Sequence, residues 1–212
     1  MDAKFWLDCW QNNHLGFQLE APHPMLVSAL KYLPKVKQIF VPLCGKSPDL
    51  HFLADHFEVI GAELAEIACR DFFVEANLKP VITSGGAHSI YQAEQYTLWQ
   101  GDFFSLPAEF FADIKLLYDR AALIALPNDL RQRYVRKLRQ HLPSATLLFI
   151  SVSYPQHEKV GPPFSVDETE IKQLFAGARI ELLMEQDLTE VGFARRRFQT
   201  SSLIESCWLI QW

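Results

Sequence analysis

The 212 residues are 49% hydrophobic and 21% charged, an ordinary globular composition for one domain, 1–212, that needs no disulfide or metal staple. A formal net charge of −5 argues against a nucleic-acid footprint, and no apolar run approaches the roughly 18 residues of a membrane-spanning helix. Cys9, Cys44, Cys69 and Cys207 show no CxxC spacing and read as reduced thiols, and Met1–Trp10 lacks the basic start and apolar core of a signal peptide, so a soluble cytoplasmic protein is expected.

In chain order, Phe5, Trp6, Cys9 and Trp10 set the apolar face of a helix over 3–13, and His14–Phe17 read as a loop. A second helix starts at Pro24 and ends before Pro34. Ile39–Val41 is an apolar run, followed by a turn containing Gly45, a helical stretch with Leu50, Leu53 and Ala54, and a second apolar run at Val59–Ile60. Glu63 closes this βαβ unit. Ala65–Asn77 reads as a helix; Val81–Ile82, Ile90–Tyr91 and Tyr96–Trp99 read as short strands with a hairpin at Gly85–Gly86. Ile114–Tyr118 is a near-continuous apolar run of buried parallel type, and Thr146–Val152 is the next buried strand. Between them lies an Arg-rich helix, Leu130–His141, with Tyr134, Leu138 and Leu142 inward; Val166–Phe175 is a further helix with Asp167 as its cap candidate. Ile180–Met184 and Ser206–Ile210 read as closing strands, giving an α/β doubly wound sheet.

The βαβ unit narrows the ligand. Gly45-Lys46-Ser47 looks like a phosphate loop, but the glycine required five residues earlier is Phe40. The GxGxxG fingerprint that admits a pyrophosphate is also absent. An adenosine without phosphates removes that requirement: Glu63, placed at the tip of the second strand, can take ribose hydroxyls while Gly45 gives one close backbone approach. S-adenosylmethionine fits this pattern; a plain βαβ unit with a surface glutamate is the alternative. Cys44 reads as packing rather than a nucleophile, His51 and His56 lack zinc-helix spacing, and no metal is expected.

Pro42-Leu43-Cys44-Gly45-Lys46-Ser47, Gly61–Leu64, Tyr118–Leu123 and Gly161-Pro162-Pro163-Phe164-Ser165-Val166 resemble the motifs of thiopurine S-methyltransferases, as do Phe5-Trp6…Trp10, Gly16-Phe17 and Gly101-Asp102-Phe103-Phe104. The resemblance spans nearly the whole chain and is closest to bacterial members. It implies a seven-stranded class I, Rossmann-like methyltransferase fold with the last strand antiparallel and the N-terminal helices, 1–34, over the cofactor cleft. It also implies donor contacts from Trp10, Leu43, Glu63 and Arg120, beside the backbone approach already read at Gly45, with adenine-flanking residues Asp102 and Phe103 and an acceptor side made by Phe17, Arg120 and Arg195. Arg195, Arg196 and Arg197 form the one basic run, otherwise read as a solvated surface cluster. The charge and the lack of long apolar runs lead to no nucleic-acid or membrane partner being expected, and the absence of obvious excess apolar surface leads to a monomer. The implied activity is S-methylation of an aromatic thiol such as a thiopurine, for which in-line transfer is expected with Arg120 stabilising the acceptor thiolate. Two alternatives stand beside it. One is methylation of another soft nucleophile: halide, small thiol, selenium or tellurium species. The other is a non-catalytic nucleoside-binding module.

Overall fold

The computed structural model describes residues 3–192 and 198–212, and the chain divides into two compact units, Met1–Tyr118 and Asp119–Trp212. In the first, the apolar runs become parallel strands. β1 (Gln38–Pro42) lies between β2 (Glu58–Glu63) and β6 (Leu116–Arg120), the last of which ends this unit at Tyr118; β5 (Tyr96–Gln100) adds parallel to β2. β3 (Val81–Gly85) and β4 (His88–Ala93) extend the sheet as an antiparallel hairpin, for an order β3-β4-β5-β2-β1-β6. β1 is buried from Ile39 to Pro42, as strands covered on both faces require.

The helices of this unit start where the sequence offers a stop. α1 (Ala3–Gln11) buries Trp10, and α2 (Pro24–Ala29) opens with His23 Nδ1 accepting from Met25 N at 3.2 Å and runs into a 3₁₀ turn, Leu30–Tyr32. α3 (Asp49–Ala54) and α4 (Glu66–Glu75) follow β1 and β2. Asp49 is almost fully buried, and its two oxygens accept from His23 N (2.7 Å) and Tyr118 Oη (2.9 Å), so one carboxylate ties the entry of α2 and the last residue of the unit to the first turn of α3.

In the second unit, β7 (Thr146–Ser153) pairs antiparallel with β9 (Ile204–Gln211) over Thr146↔Gln211 to Ser153↔Ile204, and β8 (Arg179–Asp187) pairs with β9 across a bulge between Leu182 and Met184. α5 (Asn128–His141) buries Arg131, Tyr134, Val135 and Leu138; α6 (Glu168–Leu174) is capped by Asp167 Oδ1, which accepts from Glu170 N at 2.8 Å as the sequence led us to expect. Asp119, at the end of β6, is fully buried and accepts from Tyr134 Oη (2.7 Å) and from the backbone N–H groups of Ala122 and Leu123 (3.1 Å each).

The α/β class holds, and the last strand is antiparallel. The strand count differs from the expected seven: nine strands are present among the described residues. The surplus is the β3–β4 hairpin, whose strands the sequence shows as short apolar pairs but whose addition to the β5 edge no periodicity specifies. β6 also begins at Leu116 rather than Ile114, because Ile114 N closes a turn onto Phe111 O (3.2 Å). α5 starts two residues before Leu130, directly after Pro127.

Burial raises the Asp119 carboxyl to about 6, against opposing hydrogen bonds from Tyr134, Leu123 and Ala122. The folded state therefore holds this proton more tightly than the unfolded chain. The stability it contributes is complete below the ordinary carboxylate range and is lost as pH rises through about 6. The stability difference between wild type and Asp119→Asn, read from urea unfolding at pH 4 and pH 7, is expected to fall by roughly 2 kcal/mol on going to pH 7.

Candidate functional site

Glu63 ends β2 with its side chain 6% exposed, and its two oxygens serve two different segments. Oε2 accepts from Gly45 N (2.8 Å) in the loop after β1, and Oε1 accepts from Ala65 N (2.7 Å) where α4 begins. Burial raises this carboxyl, and the backbone N–H groups of Ala65, Gly45 and Leu64 oppose the rise. Each oxygen spends one lone pair on the backbone, which leaves two acceptor positions for hydroxyls of a ligand. The loop is shaped for close approach: Leu43 and Gly45 both have left-handed φ, 49° and 54°, and Cys44 N donates to Ala62 O (3.0 Å). Cys44 itself is buried, and burial together with the Glu63 charge pushes its thiol well up, which suits packing and not nucleophilic attack.

The N-terminal segment packs on this loop. A Cβ at Gly45 would lie 3.2 Å from Cζ2 of Trp10, so the absence of a side chain at position 45 admits the indole. Trp10 is buried with Ala65 and Ala68, and Leu15, Phe17 and Ile67 pack against it. Phe17 is half-buried and meets Trp6 and Trp10 edge-on, each at 5.7 Å between centroids. Gln18 Nε2 donates to Lys46 O (2.5 Å), and Lys46 pairs with Glu75 of α4.

The segment after β5 joins Glu63 through the backbone: Gly101 N donates to Glu63 O (2.8 Å). Asp102 is exposed, with Oδ1 accepting from Phe104 N (2.9 Å) to start a 3₁₀ turn, Phe103–Ser105. Phe103 is buried and stacks nearly parallel on Phe40 of β1. Trp10, Gly45, Glu63 and the Gly101–Phe103 segment are thus linked by contacts or hydrogen bonds within the first unit, with Leu43 in the same loop.

In the second unit, Arg120 is the half-buried last residue of β6. The Gly161–Val166 segment is fixed from several sides. Phe164 N donates to Ile124 O (2.7 Å), Tyr154 Oη to Pro163 O (2.5 Å), and Val166 N to Val152 O (2.9 Å). Arg131, 5% exposed, donates to both oxygens of Glu170 (2.7 Å) and to Ser165 O (3.2 Å), with its guanidinium 5.5 Å from the Phe164 ring centre. Burial nevertheless raises the Glu170 carboxyl, with Arg131 the main opposing influence. A cleft of about 630 Å³ beside these residues contains none of the expected donor contacts. Arg195, expected on the acceptor side, lies outside the described residues.

The thiopurine S-methyltransferase family model matches residues 1–211. The thiopurine S-methyltransferase of Pseudomonas aeruginosa is 43% identical over 216 residues, covering 100% of this chain and 99% of the relative; that of Photobacterium profundum is 40% identical with the same coverage. This chain belongs to the thiopurine S-methyltransferase family. It is an S-adenosylmethionine-dependent methyltransferase, and S-adenosylmethionine is its cofactor. A methyltransferase from Anabaena variabilis, 13% identical, shares the fold with a TM-score of 0.63 over 98% of this chain and 93% of that one. Burkholderia thailandensis 1,6-didemethyltoxoflavin-N1-methyltransferase, solved with S-adenosylhomocysteine, matches with the same TM-score at 12% identity, over 98% and 86%.

The residues present suit that group: a buried carboxylate with acceptor positions left over is what the two donating hydroxyls of a ribose diol require. Two features escape a reading of the sequence. The Gly45–Glu63 hydrogen bond spans 18 residues, and Gln18 reaches the Lys46 carbonyl from a loop without pattern. Arg131 was legible in part, since it lies three residues before Tyr134 on the inner face of α5. Glu63→Gln removes the charge and turns an amide N–H toward a backbone donor. Calorimetry with S-adenosylhomocysteine is expected to show about 10- to 100-fold weaker binding, the range for losing hydrogen bonds to a charged group.

Proposed function

We propose that the chain transfers a methyl group from S-adenosylmethionine to the sulfur of a thiopurine or similar aromatic thiol, by direct in-line displacement. The full-length match to curated thiopurine S-methyltransferases carries this reading. In the proposal, Glu63 holds the ribose, the Leu43–Gly45 loop gives close backbone approach, Asp102 and Phe103 flank the adenine, and Trp10 with the rest of 1–34 covers the donor and keeps water out. Phe17, half-buried beside Trp6 and Trp10, offers a flat apolar wall to an aromatic acceptor. Arg120 and Arg195 complete the acceptor side. The chain works as a monomer in the cytoplasm.

When bound, S-adenosylmethionine supplies a methyl already activated on a sulfonium. The remaining work of the protein is to hold the acceptor sulfur in line, an effect of order ~7–11 kcal/mol. Arg120 favours the acceptor as thiolate, because a cation beside a thiol lowers its pKa. No general base is required for an aromatic thiol of this acidity.

Turnover with 6-mercaptopurine, iodide and selenite in parallel separates the acceptors: methylation of the thiol far ahead of the others supports the proposal, and preference for iodide or selenite assigns a different soft nucleophile. Binding of S-adenosylhomocysteine without any turnover marks a non-catalytic module. For Arg120→Met with 6-mercaptopurine, kcat/KM at pH 7 is expected to fall about 10-fold or more, and the rising limb of the kcat–pH profile, which reports the bound acceptor, to move by about 1 unit to higher pH. An unchanged profile would remove Arg120 from this role.

A further inference from the structure

The β3–β4 hairpin, surplus to the expected strands, ends at the donor segment. His88, the first residue of β4 and the partner of Gly85 across the turn, is 4% exposed. Its Nε2 lies 3.1 Å from the Asp102 carbonyl oxygen and 3.3 Å from Ser105 Oγ. A carbonyl only accepts, so the ring carries a proton on Nε2. Ser105 Oγ donates to the same carbonyl at 2.8 Å, which leaves that hydroxyl able to accept from His88. Gly101 sits against the ring with φ 148°, and a Cβ there would lie 2.5 Å from Cδ2 of His88. Trp99 packs on the imidazole from β5, 5.9 Å between ring centres.

The imidazole therefore fills the space under Gly101 and pins the carbonyl of Asp102. Those two residues sit between the Glu63 carbonyl, bound by Gly101 N, and the buried Phe103 ring. Rotation of the Gly101–Asp102 peptides would displace both the adenine-flanking segment and the backbone of the ribose carboxylate. Gly101 N is held by the Glu63 carbonyl, and Ser105 N (2.9 Å) and Oγ hold the Asp102 carbonyl from within the turn; the imidazole adds the restraint that comes from outside it. We propose that His88 is a positioning residue: it sets the Gly101–Ser105 turn in the geometry that receives the adenosine half of the donor, and the hairpin exists in part to deliver it. This rests on the donor reading given above.

The test measures binding and turnover of His88 variants in the full chain. His88→Phe keeps a ring and loses the hydrogen bond; His88→Gln puts an amide N–H near the place of Nε2; His88→Asn is too short to reach and serves if the phenylalanine variant does not fold. Calorimetry is expected to show S-adenosylhomocysteine and 5′-methylthioadenosine weakened in parallel by about 3- to 10-fold in the Phe or Asn variant, and largely restored in the Gln variant. At saturating donor, kcat stays within about twofold of wild type, so the change appears in KM alone. His51→Phe, remote from the turn and stacked on Phe72, is the control and leaves both affinities unchanged. Wild-type affinity in the Phe and Asn variants, with only thermal stability lowered, overturns the proposal and leaves the donor site standing. Loss of kcat at saturating donor with affinity intact also overturns it. If wild-type protein binds neither compound, the donor reading fails and the proposal falls with it.

Discussion

A single buried carboxylate joins the parts on which the rest depends. Glu63 is held at the end of β2 by the parallel register of β1, β2 and β5, and its oxygens reach the loop after β1 and the first turn of α4. Burying a charge is costly unless hydrogen bonds replace water, and two backbone N–H groups supply that replacement here. The consequence is a loop with one glycine whose shape is set before a donor arrives. A glycine-rich loop shapes itself around phosphates; this one is held open by a carboxylate that still has capacity for two hydroxyls. That is the physical reason a glycine-poor loop suits a cofactor with a ribose and no phosphate.

Within each unit the same device recurs. Asp49 ties α2, α3 and Tyr118; Asp119 ties the end of β6 to α5; Glu170 ties α6 to Arg131, which in turn meets the Gly161–Val166 segment. Each is a buried or half-buried acid satisfied by specific donors, and each fixes a loop adjoining a strand end. These networks cost desolvation and return geometry more than stability.

Much of this was legible in the sequence, for identifiable reasons. Buried strands announce themselves as continuous apolar runs, so Ile39–Val41, Val59–Ile60 and Thr146–Val152 were readable as strands. Cap chemistry located α2 and α6 at Pro24 and Asp167. Glu63 was readable because its spacing from the loop is a consequence of strand and helix lengths. What could not be read were contacts that depend on register between distant segments: Gln18 on Lys46, Arg131 on Glu170, His88 under Gly101. None has a local pattern. The edge of a sheet likewise accepts a hairpin without leaving a mark in periodicity, which is why β3 and β4 were visible as strands but not as an extension of β5.

Without any donor, Glu63 already holds the loop through Gly45 N and the start of α4 through Ala65 N. Amide hydrogen exchange at Gly45 and Ala65 in the protein without donor tests this most directly. Protection of both N–H groups comparable to that of β1 amides is the predicted result, because each is buried in a hydrogen bond to the carboxylate. Exchange of the Gly45 amide at the rate of an open loop, with protection gained only when S-adenosylhomocysteine is added, would contradict it and make the site one that the ligand itself assembles.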